Sequence, residues 1–456
     1  MVRKITERML HYPFGSGSNR AVLDAIRRNT RIFDAWSDEP WVNEGAAVRV
    51  SLVSFGWGEC CFLNGSIVDE ITAELGSANE TDMTVAKPQR ENLSVAFKGA
   101  EKNGAFDIPG KTARQWLRLP NPDGQPNATV IKPWRNGQDI ANRPSDTWVV
   151  DFGVSMQEGE AAMFEVPFSH VQAKVRTERE KNNREAYRKY WWRFGEARPG
   201  MRTALSGLLR FVVTPRVAKH RFFVWFDATV SPDSRLFVIA RADDVIFGIL
   251  NSRVHEAWSL ANASVHGDGT DGGRPTYNAK SCFETFPFPA GLTPADTAHQ
   301  QTETTARGAL IPANLADQQG GRAHSTQTQE NVRTNAAAIA NAAKHLNDLR
   351  DNWLNPKEWT HKVKEVTPLG MDHSPYPERI EPKPGISEED LRALQKRTLT
   401  NLYNLRPSWL TMAHNQLDQA VAAAYGWTDY TADMPDEEIL KRLLALNLQR
   451  SASAAS

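Results

Sequence analysis

The chain has 456 residues, 40% of them hydrophobic, and its 54 basic residues balance its 54 acidic residues. This length predicts two to four domains with sizeable cores, and a zero net charge identifies no partner by itself. Three cysteines at unrelated spacings give neither a disulfide framework nor a zinc site, and no apolar run approaches the roughly eighteen residues of a membrane span. We therefore expect a cytoplasmic protein with no membrane partner.

Residues 1–76 alternate helix and strand patterns. Apolar spacing predicts a short helix over Asn19–Arg28 and strands over Arg31–Trp36 and Ala46–Phe55, whereas the opening segment KITERMLHYPF makes a poor strand. These elements indicate a fragment of an α/β layer that is too short to be a full doubly wound sheet.

The central part of the chain predicts an α+β domain. Residues 77–128 are polar with scattered Gly and Pro, and we expect a connecting loop region there. Residues 129–290 contain predicted strands at Thr147–Phe152, Leu208–Thr214, Arg221–Trp225 and Arg235–Ile239, and predicted helices at Pro167–Trp192 and Asp243–Asn262.

The last third of the chain predicts a helical region. Residues 291–334 are rich in Thr, Gln, Ala and Gly, which is typical of a linker or insertion. Residues 335–450 carry apolar residues at helical spacing in four stretches, Asn335–Trp353, Ser387–Tyr403, Trp409–Tyr425 and Asp436–Leu448. The expected fold class is a multidomain mixture of α/β and α+β parts.

Three short motifs have some of the residues of a catalytic or metal site, but each lacks a feature that such a site requires. Gly15–Arg20 (GSGSNR) lacks the third glycine of a nucleotide loop, so a tight turn before a helix is favoured. Asp372 with Glu381 and Lys383 has the residue types of a metal-dependent nuclease but lies among four prolines. His255 begins a helical zinc motif that position 259, a serine, does not complete.

A basic and aromatic segment runs through the middle of the chain. Between His170 and Phe226 there are fourteen Lys and Arg residues against four Glu, an excess of ten positive charges. The stretch Ala173–Arg202 interleaves these cations with aromatic residues, for which we favour a place in the core over stacking on nucleobases. For the cations we favour phosphate contacts with DNA, because few acids lie nearby in sequence.

A second basic cluster lies between two predicted strands. The segment TPRVAKHR places Arg216, Lys219, His220 and Arg221 in one short turn. A loop of this kind can enter a DNA groove, where arginine is the commonest reader of guanine. Exposed cations that contact nothing are the alternative.

A long, ordered series of segments resembles MmeI-like type IIL restriction-modification proteins, single polypeptides that carry nuclease, adenine methyltransferase and target-recognition parts. The matching segments cover most of residues 19–449 and include RIFDAWSDEPWVNEGAAVRVSLVSFG, RPSDTWVVDFG, YRKYWWRFGEARPGMR, TPRVAKHRFFVW, FGILNSRVHEAWSL, CFETFPFP and LYNLRPSWLTMAHNQLDQAVAAAYGW. By this resemblance, residues 1–76 are the C-terminal fragment of a methyltransferase domain with a partial Rossmann-like sheet. Residues 129–290 are a target-recognition domain, and 335–450 a helical closing region.

The chain departs from this family where methyl transfer would take place. The resemblance implies an Asp-Pro-x-x-Gly-x-Gly loop for S-adenosylmethionine and an Asn-Pro-Pro-Tyr loop for the flipped adenine, and neither motif occurs. We therefore expect S-adenosylmethionine to serve the intact family without binding this chain alone.

The expected function is DNA target recognition for a site-specific adenine-N6 methyltransferase, with duplex DNA as the partner. An upstream-encoded methyltransferase or nuclease polypeptide is a possible second partner. A stand-alone specificity subunit and an inactive remnant of a truncated gene stay open as alternatives, and the nucleotide sequence upstream of Met1 discriminates between them. The residues expected to contact DNA are Arg216, Lys219, His220 and Arg221, followed by Lys132, Arg135, Asn136, Arg253 and Tyr277.

Overall fold

A computed structural model describes residues 6–10, 17–43, 46–58, 60–73, 75–77, 81–266, 273–315 and 326–453. The chain divides into two compact units, each built from separated stretches of sequence. Unit 1 comprises residues 1–89, 257–287 and 433–456, and unit 2 comprises residues 90–256 and 288–432. The sequence predicted five consecutive segments, a division that differs from these two units. The functional roles and boundaries of those segments stay a prediction.

The strands are short outside the first sheet. They are β1 (Thr6–Leu10), β2 (Arg31–Asn43), β3 (Ala46–Gly56), β4 (Cys61–Leu63), β5 (Ser66–Val68), β6 (Ala96–Lys98), β7 (Asp107–Pro109), β8 (Ile131–Arg135), β9 (Thr147–Val150), β10 (Arg210–Pro215), β11 (Val224–Asp227), β12 (Ser231–Pro232), β13 (Leu236–Ile239), β14 (Ser264–His266), β15 (Arg274–Thr276), β16 (Thr302–Thr304), β17 (Leu310–Pro312), β18 (Thr360–Val363) and β19 (Arg379–Pro382).

The helices are longest toward the C-terminus. They are α1 (Gly17–Asn29), α2 (Gly110–Trp116), α3 (Gly137–Ala141), α4 (Glu158–Ala162), α5 (Glu165–Val171), α6 (Thr177–Glu180), α7 (Glu185–Lys189), α8 (Pro199–Leu205), α9 (Asp244–Asn251), α10 (Arg253–Ala261), α11 (Thr326–Leu354), α12 (Glu388–Lys396), α13 (Leu399–Leu405), α14 (Ser408–Ala424) and α15 (Asp436–Ser453). None of the helices in the described ranges is long and apolar enough to cross a membrane.

Unit 1 contains a five-stranded sheet in the order β1-β3-β2-β4-β5. The pair β2–β4 is parallel and the other neighbours are antiparallel. Leu23 of α1 packs with Ile32, Val53 and Leu63 of the sheet in one apolar cluster. Residues 6–10, in a segment that we expected to be a poor strand, form β1. Their backbone pairs with β3 along five residues, and this pairing outweighs the weak strand preference of the sequence. Residues 11–16, which include Gly15 of the GSGSNR motif, lie outside the described residues.

Unit 2 is built around two four-stranded sheets, β11-β10-β13-β6 and β12-β8-β9-β7. Strand β10 lies inside the first sheet, and Phe211, Val212 and Val213 are fully buried, as the apolar run in the sequence predicts. Strands β6 and β7 and helix α2 come from residues 77–128, so this region contributes to the folded sheets rather than only connecting them.

Helices α9, α11 and α14 pack together in unit 2. A Cβ atom on Gly248 of α9 would lie 2.7 Å from Ile339 and 2.9 Å from Ala343 of α11, so only glycine permits this close approach. Together the sheets and helices form a mixed α/β and α+β multidomain fold, and the expected fold class is confirmed.

Two helices expected to be continuous are interrupted. The stretch Pro167–Trp192 forms α5, a π-helical turn, α6 and α7, and it breaks where the Asn182 side chain accepts a hydrogen bond from the Arg184 backbone at 2.9 Å. Asparagine side chains compete with helical backbone bonds in this way. The stretch Asp243–Asn262 forms α9 and α10, and it breaks at Ser252, whose backbone is extended.

Candidate nucleic-acid interface

Most arginines of the basic segment Ala173–Arg202 support the fold instead of facing solvent. Arg179 is 2% exposed and donates to the carbonyls of Asn103, at 3.0 Å, and Lys102, at 2.8 Å. Arg193 donates to the carbonyls of Val154, Ser155 and Met156. Because these guanidinium groups are engaged by backbone carbonyls, the local charge excess overstates the charge available to a polyanion.

The aromatic residues of the same segment lie in the core, as expected. Trp191 and Trp192 are each 4% exposed, and their rings pack edge to face at a centroid distance of 5.9 Å. Tyr187 is also buried. These rings are therefore not placed to stack on nucleobases in this structure.

The basic loop, residues 216–223, connects β10 to β11. The Arg216 backbone N–H donates to the Arg235 carbonyl at 2.8 Å, which anchors the start of the loop to the turn before β13. The side chains of Arg216 and Lys219 are exposed, and neither makes a hydrogen bond or ion pair within the described ranges. The loop thus presents two cations without a counter-charge among the described residues, directly after strand β10.

The other two predicted residues of the basic loop have partners. Arg221 is 6% exposed, and its guanidinium folds back under the loop to donate to Thr214 Oγ1 at 2.9 Å and to the Pro215 carbonyl at 2.6 Å. His220 is half-buried, and its Nε2 lies 2.8 Å from Asn404 Oδ1 at the end of α13. Arg221 therefore fixes the loop conformation, and His220 links the loop to α13.

The start of α3 adjoins the basic loop. A Cβ atom on Gly137 would lie 3.6 Å from the Arg235 carbonyl oxygen and 3.7 Å from Pro215 Cβ, which places the start of α3 against the loop. Asn136 caps α3 by accepting from the Gln138 backbone at 2.7 Å, while its own N–H donates to Asp139. Its side-chain oxygen thus has a structural role.

Arg235 and Arg406 are cations near the basic loop that the sequence did not single out. The Arg235 side chain is 63% exposed, and its Nε donates to Asp233 Oδ1 at 2.8 Å, which raises the pKa of the guanidinium. Arg406 ends α13 two residues after Asn404, with an exposed side chain. No sequence signal links them to the loop, because only the folded chain brings these segments together. We call the exposed surface of Arg216, Lys219, His220, Arg235 and Arg406 the basic face.

Lys132 lies apart from these contacts, in a cleft of about 520 Å³. Burial lowers the pKa of Lys132, and the carboxylate of Asp151 opposes this effect. Asp151 accepts a hydrogen bond from Arg202 at 2.8 Å. The cleft also contains Phe152 and Met156, so Lys132 lies in a semi-apolar recess rather than on an open basic surface.

The remaining predicted residues have structural partners. Arg135 donates to the Trp134 and Ser145 carbonyls at 2.9 and 2.8 Å beside a second cleft of about 530 Å³. Arg253 donates through Nη1 to the Ala432 carbonyl at 2.7 Å, and Tyr277 is 1% exposed. The DNA-contact role expected for these residues stays a prediction, and the geometry favours Arg216 and Lys219.

The motifs that suggested metal chemistry form no cluster of metal-ligating side chains in the part of the chain that the structure describes. His255 is fully buried, and burial together with the nearby Arg221 charge lowers its pKa to about 3. Glu381 lies in the two-stranded sheet β18–β19 and accepts a hydrogen bond from Arg379.

No protein-family model and no curated protein sequence matches the chain. Solved structures do match, and two of them are restriction enzymes. The type IIL restriction-modification enzyme MmeI, solved in complex with DNA, matches 95% of this chain at 15% identity with a TM-score of 0.57. The type IIG restriction endonuclease BpuSI matches 93% at 11% identity with a TM-score of 0.23. The chain spans about half of either protein, 48% in both cases, and the similarity to MmeI shows a shared fold.

Proposed function

We propose that this chain is the DNA target-recognition part of a site-specific adenine-N6 methyltransferase of a restriction-modification system. The fold similarity over 95% of the chain to an enzyme solved on DNA carries this proposal. The ordered segments that resemble MmeI-like proteins support it from the sequence side. The basic face on unit 2 supplies the positive surface that a DNA partner requires.

Within this function, the exposed arginine and the exposed lysine suit different groups of the DNA. Arg216 is the best candidate for base readout, because a guanidinium can donate two parallel bonds to guanine O6 and N7. Lys219 is a flexible point charge and suits a phosphate. Arg221 and Asn136 hold the loop and α3 in place behind them, so that the readout residues reach the groove from a fixed backbone.

We assign the methyl-transfer machinery to residues outside the sequence of this chain. In unit 1 a cleft of about 510 Å³ is lined by Ser37, Thr72 and Thr84, with Glu437 as its carboxylate and no aromatic ring. The Asp-Pro-x-x-Gly-x-Gly loop that the resemblance implies does not occur in the sequence, so we do not assign S-adenosylmethionine to this cleft.

We expect the chain to bind duplex DNA with a steep salt dependence. If about five exposed cations of unit 2 meet phosphates, the logarithm of the binding constant falls with the logarithm of salt concentration at a slope of about −4 to −5. Fluorescence anisotropy of a labelled mixed-sequence duplex between low and physiological salt measures this slope. A slope of zero, or no binding at low salt, contradicts the proposed function.

We expect the chain alone to transfer no methyl group to DNA. Neither the cofactor loop nor the Asn-Pro-Pro-Tyr loop occurs in its sequence, so neither the donor nor the flipped adenine is positioned for reaction. Incubation with labelled S-adenosylmethionine and duplex DNA tests this expectation. Protein-dependent label in adenine would show that the chain carries its own active site.

A further inference from the structure

A second positive surface on unit 2 includes none of the residues of the basic face. It is a groove of about 600 Å³ between α2 and the β18–β19 hairpin, and the Leu369 backbone N–H donates to the Leu117 carbonyl at 2.8 Å where the two walls meet. Five cations line this basic groove with a single carboxylate, namely Lys111, Arg114, Arg118, Lys364 and Arg379 with Glu365.

The carboxylates of Glu365 and Asp146, in and beside the groove, are already paired with arginines. Glu365, whose side chain is 2% exposed, accepts from Arg114 Nε at 3.0 Å, from Arg379 Nη1 at 2.8 Å and from the Val366 backbone. Burial disfavours its charge, but these hydrogen bonds outweigh burial and hold the pKa of Glu365 below its usual value. Asp146 accepts two bonds from Arg114, at 2.6 and 2.8 Å.

Three cations of the groove therefore have no counter-charge. Lys111, Arg118 and Lys364 are exposed, and no hydrogen bond or ion pair engages their side chains among the described residues. Lys111 lies in the first turn of α2 and Arg118 just after its end, and both side chains line the groove. Glu365 forms ion pairs with Arg114 of α2 and with Arg379 of β19, and these contacts link the two walls of the groove.

We propose that the basic groove binds the sugar-phosphate backbone of the duplex whose bases the basic face reads. This inference rests on the proposed function and adds a second contact surface to it. Three unpaired cations beside a saturated carboxylate repel one another in the free protein, and a phosphodiester chain relieves that repulsion. Two of the three unpaired cations are lysines, which suit phosphates as flexible point charges, so we expect a contribution that depends mainly on backbone charge and little on DNA sequence.

The test compares two triple variants of the full chain with equal charge change. The groove triple is Lys111→Gln, Arg118→Gln and Lys364→Gln. The control triple is Lys357→Gln, Lys383→Gln and Lys396→Gln, which are exposed lysines of unit 2 outside the basic segment, the basic face and the basic groove. We expect the groove triple to reduce the salt slope by about 2 to 3 and duplex affinity at 0.1 M salt by about tenfold or more, for any duplex sequence. The control triple should leave both values near wild type.

Charge retention separates a role in binding from a role in folding. Lys111→Arg with Lys364→Arg keeps both positive charges, and we expect wild-type affinity and slope. If the wild-type chain binds DNA and the two triple variants show the same salt slope, the role proposed for the groove is wrong, while the proposed function still stands. Failure of the wild-type chain to bind duplex DNA at low salt would overturn the groove and the proposed function together.

Discussion

Arg221→Ala should lower the free energy of unfolding by about 3 kcal/mol, although the residue lies in the loop expected to contact DNA. The guanidinium is buried and donates to Thr214 Oγ1 and the Pro215 carbonyl. Alanine leaves the buried Pro215 oxygen without these bonds and removes the packing of the side chain under the loop. Urea unfolding monitored by tryptophan fluorescence measures the change.

Arg216→Ala is the matched control, five residues earlier in the same loop. Its side chain is exposed and makes no bond within the described ranges, so its replacement should change stability by about 0.5 kcal/mol or less. Similar stability losses for the two variants would contradict the structural role of Arg221.

Arg216→Ala should cost about 1–3 kcal/mol of binding free energy at one base position of the target and relax preference there. This follows if the guanidinium makes a bidentate contact with guanine. Lys219→Ala should weaken binding similarly on all duplexes, because a lysine on phosphate carries no sequence information. Competition binding against a randomised duplex library, followed by sequencing, measures both effects.

This binding assay uses the chain joined to a polypeptide that carries the methyltransferase motifs, so that the DNA-recognition cleft is complete. Changes of only a few tenths of a kcal/mol for both variants, on target and non-target duplexes, would mean that the basic loop does not face DNA. Lys396→Ala serves as the exposed control outside the basic segment, the basic face and the basic groove.

The sequence predicted local structure well where apolar patterns are strong. Strands β10 and β13 follow directly from the buried runs around Val212 and Val238, and α14 follows from its helical spacing. Register and sheet order could not be predicted, because β6 joins β13 across about 140 residues of chain and its own three residues carry little pattern. The break at Ser252 was missed because it depends on one extended backbone conformation within an apolar stretch.

The candidate site was only partly predictable for a different reason. Sequence identifies Arg and Lys but not the direction in which the charged end of each side chain lies. Arg216 and Arg221 look equivalent in TPRVAKHR, yet one faces solvent and the other supports the loop from below. The basic groove was missed because Lys111 and Lys364 are about 250 residues apart in the chain.

The most direct test of the DNA-facing surface is lysine acetylation of the wild-type chain, free and bound to duplex DNA, read out by mass spectrometry. We expect bound DNA to protect Lys219 on the basic face, while Lys174 and Lys181, equally exposed in the basic segment, react as in the free protein. Protection of Lys174 and Lys181 with an unprotected Lys219 would contradict the account, because DNA would then lie on the basic segment and not on the basic face.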